Sequence, residues 1–201
     1  MILSALILLA ACGGKSDQAS GAEQSKVEQT DPQVPRTLSD TVLEEQLRQA
    51  SLQGATRMVE DLISQGVRVD AMDPDGHSAL MLAAFNGHTA IVKSLLEAGS
   101  AVDLRDLMDR TALLYAATGP FTETVRILLD HGAEINIVDS NEHFSPLMHA
   151  AAEGHLEVVK LLLSRGADPR LTDVDGDNAA FFARQAGHAE VADFIIKYES
   201  N

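Results

Sequence analysis

The sequence has no tryptophan, only two tyrosines and a single cysteine among its 201 residues. One cysteine cannot form an internal disulfide, and a zinc site normally needs three or four Cys or His ligands. So few large aromatic side chains also leave little from which to build a platform for stacked bases or bound sugars. These absences exclude a disulfide-stapled scaffold and argue against a zinc centre and against base-stacking recognition.

Positive charge is also scarce, because 15 Lys and Arg residues face 30 Asp and Glu residues and leave a formal net charge of −15. Binding to nucleic-acid phosphates and to anionic lipid headgroups depends on cationic contacts. The charge therefore argues against both as partners. With about 100–200 residues per domain as a guide, the length leaves no room for a large multidomain enzyme.

An apolar run covers residues 2–11, directly before Cys12. It is too short to span a bilayer, which takes about 20 helical residues, but its length suits the apolar region of a signal peptide. The tetrapeptide Leu9-Ala10-Ala11-Cys12 resembles the lipobox of bacterial lipoproteins. The resemblance implies that residues 1–11 are a signal peptide cut before Cys12, and that the Cys12 thiol is diacylated.

The lipobox resemblance has one departure, because no Lys or Arg precedes Cys12. Residue 13 is Gly rather than the Asp that favours retention at the inner membrane of enterobacteria. We therefore expect a periplasm-facing protein of the bacterial cell envelope, with the outer membrane favoured over the inner one. Two or three acyl chains would suffice for stable anchoring. The alternative is an incidental cysteine behind an apolar N-terminus.

Residues 12–40 are predicted to be the lipidated cysteine followed by a flexible polar linker. Residues 13–36 are rich in Gly, Ser, Gln and acidic side chains, contain Pro32 and Pro35, and have no aromatic residue. Such a segment buries too little apolar surface to offset its ordering entropy. We expect it to hold the folded part away from the bilayer.

From residue 41 onward the sequence repeats every 33 or 34 residues, with aligned segments that begin at Asp73, Asp106, Asp139 and Asp173. Small side chains let two helices approach closely, and glycine accepts the positive φ of a tight turn. Each unit is amphipathic on two sides and buries its apolar faces only by stacking on its neighbours. Alanine pairs, Gly-His pairs and aliphatic pairs recur in register: Ala83-Ala84, Ala116-Ala117 and Ala150-Ala151; Gly87-His88, Gly154-His155 and Gly187-His188; Leu95-Leu96, Leu128-Leu129, Leu162-Leu163 and Ile195-Ile196.

The segment Ser145-Pro-Leu-Met-His-Ala150 is similar to the signature of the ankyrin repeat, and Thr111–Ala116 and Ser78–Ala83 are looser versions. The resemblance implies an all-α solenoid of about five helix-turn-helix repeats with short β-hairpin loops. The ankyrin-repeat domain is placed at residues 41–201, with repeats at about 41–72, 73–105, 106–138, 139–172 and 173–201. In the first repeat, an end cap, we expect Glu44, Glu45, Gln46 and Arg48 to make the outer face polar.

The sequence shows no motif of an enzyme, neither a Gly-x-Ser-x-Gly elbow nor a glycine-rich phosphate loop. Its carboxylates recur with the repeat, and nothing marks one of them as a general acid or base. Asp173–Asn178 looks like a calcium loop, but Gly176 is fourth rather than sixth and Arg184 holds the twelfth position. An Asx-stabilised turn is favoured there. We expect no catalysis, no cofactor and no metal site.

The ankyrin resemblance further implies that hairpin tips and first helices form a concave surface that binds other proteins. Leu107, Met108 and Phe144 lie at tips with no core to enter, so they are either exposed anchors or folded back on a neighbouring hairpin. The acidic charge favours a partner face that is neutral or basic. The tips also offer Pro74, Asp75, Asn141 and Asp177. The candidate partner-binding residues are His77, Phe85, Asn86, Leu107, Met108, Arg110, His143 and Phe144.

The predicted function is a non-catalytic protein–protein interaction module that is anchored in the envelope by its lipid alone. It would bind a periplasmic or envelope protein, as an adaptor or as a protector of an envelope enzyme. One alternative is an immunity protein that neutralises a periplasmic toxin. A less favoured alternative is a haem-handling or small-ligand-handling protein that uses His77, His143 and His149.

Overall fold

The computed structural model describes residues 37–200, which form ten α-helices, two for each repeat. Over this range the structure has no β-strand, only an isolated bridge between Thr172 and Asn178. The prediction of an all-α repeat solenoid is confirmed, whereas its β-hairpin loops are turns. Cys12, the predicted signal peptide and residues 12–36 of the predicted linker lie outside the described residues. The helices are α1 (Leu38–Gln53), α2 (Thr56–Ser64), α3 (Ala79–Phe85), α4 (Thr89–Glu97), α5 (Ala112–Ala117), α6 (Thr122–Asp130), α7 (Pro146–Ala152), α8 (Leu156–Ser164), α9 (Ala179–Gln185) and α10 (Ala189–Glu199).

The first helix begins at Leu38, three residues before the predicted domain boundary at residue 41. The cause is a capping box, in which the Thr37 hydroxyl accepts from the Asp40 N–H and the Asp40 carboxylate accepts from the Thr37 N–H. This cap satisfies two backbone donors that a helix leaves free at its start.

The expectation of a polar outer face is wrong for Glu44 and Arg48, whose side chains are buried, whereas Glu45 and Gln46 are exposed. Arg48 donates to the Ala71 carbonyl at 3.2 Å, and the Glu44 carboxylate lies 3.0 Å from the Arg68 guanidinium. The two side chains hold the loop that leads into the next repeat.

Each later first helix begins at a side-chain cap, and α3, α5 and α7 pack through an alanine pair. Ser78, Thr111, Ser145 and Asn178 each accept a hydrogen bond from the backbone N–H three residues on. Ala83 and Ala84 are fully buried, as are the corresponding pairs of α5 and α7. A single buried cluster of aliphatic side chains thus runs from α1 to α10.

The Gly-His pairs join one repeat to the next. His88 Nε2 lies 3.1 Å from the Leu52 carbonyl, and His155 Nε2 lies 3.2 Å from the Thr118 carbonyl. A Cβ on Gly54 would come within 2.7 Å of the His88 ring, so that position needs glycine. These histidines are structural, as their repeat register predicts.

Carboxylate and amide side chains also connect the loops that follow the second helices. Asp70 accepts from the Ala101 N–H at 3.1 Å, and Asp103 accepts from the Glu134 N–H at 3.0 Å. Part of the acidic composition therefore caps backbone donors of the next repeat. Within residues 37–200, none of the helices combines the length and the apolar character that crossing a membrane requires.

Candidate binding surface

Four turns precede the first helices of the second to fifth repeats, at residues 73–77, 106–110, 139–144 and 173–177. We call them hairpins, after their position in the repeat. In each one the first aspartate accepts two backbone hydrogen bonds through Oδ1. Asp173 accepts from the N–H groups of Asp175 and Asp177 at 3.0 and 2.8 Å. This is an Asx-stabilised turn, which the sequence favours over a calcium loop.

Backbone hydrogen bonds join the four tips into one continuous edge. The Leu107 N–H donates to the Asp75 carbonyl, the Ser140 N–H to the Met108 carbonyl, and the Val174 N–H to the Glu142 carbonyl, at 3.3, 2.9 and 3.2 Å. The side chains at neighbouring tips are therefore presented from a connected backbone.

Two tips hold a non-glycine residue in the left-handed region. Gly76 and Gly176 have φ angles of 86° and 90°, and the same register is held by Asp109 at 58° and His143 at 60°. Such a backbone costs about 1–2 kcal/mol for a residue with a Cβ. Strained positions of this kind cluster at functional sites.

Leu107 and Met108 show the first of the two arrangements that the sequence leaves open, because 75% and 49% of their surface is exposed. Phe85 on α3 is 48% exposed, and its ring meets the Tyr115 ring edge-on at 5.9 Å. We call Leu107, Met108 and Phe85 the tip patch.

Phe144 is half-buried, unlike Leu107 and Met108. Its ring lies 4.6 Å from the Phe182 ring and 5.2 Å from the His149 ring, measured between centroids. It occupies the register of Arg110, directly before the N-cap, and there it folds back on the first helices of its own and the next repeat. This is the second of the two arrangements that the sequence leaves open.

Arg110 is held by its own hairpin. Its Nε and Nη2 atoms each lie 2.9 Å from Asp106 Oδ2, and its guanidinium carbon lies 4.8 Å from the Tyr115 ring centroid. The Tyr115 hydroxyl donates to the same carboxylate at 2.6 Å. Burial, followed by this hydrogen bond to Asp106, raises the pKa of Tyr115.

The Asp106 carboxylate is the centre of this cluster. Burial raises its pKa, but hydrogen bonds from the Tyr115 hydroxyl and from the backbone N–H groups of Arg110 and Met108 outweigh burial and leave it lowered. Sequence reasoning did not single out Asp106 or Tyr115. Their position in the repeat could have indicated them. Tyr115 lies four residues after the N-cap Thr111, on the helix face next to the hairpin that precedes the helix.

The remaining candidate residues have separate environments. His77 Nδ1 lies 3.0 Å from Asp73 Oδ2, and the Asn86 amide donates to the Leu52 carbonyl at 2.7 Å. His143 is exposed, and His149 lies 3.8 Å from Asp139. The structure thus gives His77, His143 and His149 different neighbours.

Asp73, Asp75 and His77 form a group whose ligand atoms lie within 4.8 Å of one another, a spacing that could hold a metal ion. The oxygens of Asp73 already accept from two backbone N–H groups and lie beside the His77 ring. The turn itself explains this arrangement.

The four hairpins carry nine carboxylates and one arginine. Asp75, Glu142 and Asp175 are exposed next to the apolar side chains of the tips. The edge is therefore strongly acidic and partly apolar, a combination that suits a complementary protein surface.

Comparison with protein families finds a family model described as ankyrin repeats in three copies, which matches residues 47–139 and again residues 138–201. Together the two matches cover all five repeats from Leu47 onward. A search of curated proteins finds no match.

Proposed function

Because the chain belongs to the ankyrin-repeat family, whose repeats serve as protein–protein interaction modules, we propose that it binds another protein through its hairpin tips and first helices at the bacterial cell envelope. No catalytic step is part of this proposal. The observation that carries it is the tip patch, where Leu107 and Met108 are exposed on a hairpin with no core to enter.

The chemistry of the tip patch supports an interface. Exposed apolar side chains that lie together mark interaction sites, and Met and aromatic residues are enriched at interface cores. Phe85 reaches the same neighbourhood through Tyr115, whose hydroxyl bonds to Asp106 beside Leu107. The nine carboxylates of the tips favour a partner face that is basic, because complementary potentials speed association.

The envelope location is proposed from the sequence. The lipobox-like Leu9-Ala10-Ala11-Cys12 supports a lipid anchor, and the polar residues 13–36 support a linker between that anchor and the repeats. Gly13 favours the outer membrane. An adaptor or protector of an envelope enzyme would be held near its target by such an anchor.

The binding proposal is tested by capture from detergent-solubilised envelopes. The wild-type chain, Leu107→Asp/Met108→Asp and the matched control Leu38→Asp/Val42→Asp would serve as bait, since Leu38 and Val42 form another exposed apolar pair, on α1. We expect a protein that wild type and control capture and the tip variant loses. Circular dichroism checks that every bait is folded. Equal capture by all three baits would show that the tip patch is not the binding site. If no bait captures a specific protein, the binding proposal is overturned.

The anchor is tested separately with Cys12→Ser. Loss of the thiol should abolish acylation and release the chain from the membrane fraction. A variant that stays in the membrane with normal signal cleavage would contradict the lipoprotein proposal.

A further inference from the structure

The first aspartates of the four hairpins use Oδ1 in the same way, but the side chains that lie near Oδ2 differ. Oδ2 of Asp73 lies 3.0 Å from His77, and Oδ2 of Asp106 accepts from Arg110 and Tyr115. Oδ2 of Asp139 lies 3.8 Å from His149. For Asp173, the residues from 37 to 200 show hydrogen bonds only to Oδ1 and no ion pair. Three repeats therefore place a His, Arg or Tyr side chain within 4 Å of the second oxygen, and the fifth shows no such contact among residues 37–200.

Phe182 in the fifth repeat holds the register of Tyr115 in the third. Tyr115 is contacted from one side by His77 of the preceding hairpin and from the other by Arg110 of its own. Phe182 is contacted by Phe144 of the preceding hairpin. In its own hairpin, the position that corresponds to Arg110 is Asp177. A carboxylate thus stands in the register where a guanidinium covers the aromatic ring.

The hairpin that precedes the helix of Phe182 carries three carboxylates and no basic residue. Asp173, Asp175 and Asp177 lie within five residues of one another, whereas the corresponding hairpin of the third repeat contains Arg110. Partial burial, with the nearby Asp173 and Asp175, raises the pKa of Asp177. The aromatic face is large, since Phe181 is 42% exposed and its ring meets Phe182 at 5.5 Å.

An aromatic ring beside carboxylates is the environment that a guanidinium prefers, because it stacks on the ring while its N–H groups bind the acids. The third repeat shows this arrangement inside the molecule, with Arg110 on Tyr115 and Asp106. Calcium is less suited, since it needs six to eight oxygens and Asp173 Oδ1 already accepts two N–H groups.

We propose that an arginine side chain of the partner protein binds against Phe182 between Asp173 and Asp177, within a segment whose apolar side chains cover Phe181 and Val174. We call this the Phe182 site. The proposal deepens the proposed function and rests on it, because the ligand is a protein segment. It adds to the tip patch a second contact of defined chemistry.

The probe is the peptide acetyl-Leu-Arg-Leu-amide, titrated into the 15N-labelled chain at low salt. Its matched control has citrulline in place of arginine, with the same shape and no charge. We expect chemical-shift changes centred on residues 173–182 and binding about fivefold weaker for the citrulline peptide. Equal binding of the two peptides would show a purely apolar contact and overturn the proposal, as would shifts centred elsewhere.

Substitutions locate the contact. Asp173→Asn keeps an oxygen that can accept the two turn N–H groups, so the hairpin should persist while the arginine peptide binds about fivefold more weakly. Asp75→Asn is the matched control, because it removes one carboxylate from another tip, and it should leave binding unchanged. Equal weakening by the two variants would show a general effect of net charge and overturn the site.

A substitution that fills the Phe182 site from within the chain gives a second test. Asp177→Arg should place a guanidinium over Phe182, as Arg110 lies over Tyr115. We expect it to abolish peptide binding and raise the thermal midpoint. Peptide binding that persists in Asp177→Arg would overturn the proposal. If the Phe182 site fails these tests while envelope capture still depends on Leu107 and Met108, the proposed function stands without it.

Discussion

The hairpins of the third and fifth repeats share one backbone arrangement but use their carboxylates differently. In the third, Asp106 is buried and binds Arg110 and Tyr115 of the chain. In the fifth, Asp173 bonds only to the turn, and Asp177 stands where Arg110 would be. The same Asx turn can therefore hold an aspartate that pairs with an arginine of the chain, as Asp106 does, or one that bonds only to the turn, as Asp173 does. A few side chains distinguish the two hairpins, whose backbone hydrogen bonds are the same.

The largest expected difference between the third and fifth hairpins is the loss of stability when the first aspartate is replaced by alanine. Asp106→Ala loses two turn bonds and the contacts to Arg110 and Tyr115, so we expect a loss of about 3 kcal/mol in the free energy of unfolding. Asp173→Ala loses only the turn bonds, for about 1 kcal/mol. Urea denaturation measures both. Equal losses would show that the Arg110 and Tyr115 contacts add nothing to stability.

The glycines of the second and fifth tips provide the next comparison. A Cβ on Gly76 would come within 2.8 Å of the Asp106 Cα, whereas a Cβ on Gly176 would meet nothing within 4 Å. Both have positive φ, so Gly176→Ala should cost about 1 kcal/mol from backbone strain alone. Gly76→Ala should cost about 2–3 kcal/mol, because the next hairpin must also move. Equal urea midpoints for the two variants would contradict the close contact between neighbouring tips.

The period of the repeat and its residue types predict most of this fold. Alanine pairs, turn glycines and hairpin aspartates each do in the structure what their chemistry indicates. The start of α1 depended on the Thr37–Asp40 capping box, a local signal that the 33-residue period does not contain. The burial of Glu44 and Arg48 cannot be read from their own segment, because their partners, Arg68 and the Ala71 carbonyl, lie more than 20 residues away.

The candidate site was less predictable, because exposure at a tip depends on the neighbouring repeat. Leu107 stays exposed, whereas Phe144 finds the Phe182 ring on the next first helix. Register shows which residues are equivalent, but it does not show whether an equivalent residue meets a cation, a ring or solvent. Arg110 illustrates this, since its partner in the structure is Asp106 of the same hairpin.

The hairpin of the fourth repeat lies between these two cases, because His149 is near its aspartate but at a longer distance. Its contribution to the free energy of unfolding should appear in acid. Burial raises the pKa of Asp139, but the His149 side chain 3.8 Å away and the hydrogen bond from the Glu142 N–H outweigh burial and lower the pKa to about 2. Because the folded pKa lies below the unfolded value, this carboxylate contributes stability that is present above about pH 4 and lost as the pH falls toward 2. We expect a loss of about 1–2 kcal/mol over that range, allowing for solvent screening.

Asp139→Asn keeps the turn acceptor and should lack this part of the acid dependence. Chemical denaturation at several pH values between 5 and 2 would measure it for both chains. Identical pH profiles would show that Asp139 contributes nothing to acid stability.

The smallest effect concerns the left-handed tips, where His143 and Asp109 stand in the register of Gly76 and Gly176. Glycine relieves the strain of about 1–2 kcal/mol but costs about 0.5–1 kcal/mol in chain entropy, so His143→Gly should stabilise the fold by about 0.5 kcal/mol. The urea midpoint should rise slightly. If capture of the envelope partner weakens in the same variant, the strain at this tip serves binding. A more stable variant with undiminished capture would show instead that His143 has no part in the interface, and the contact surface would then centre on the tip patch and the Phe182 site.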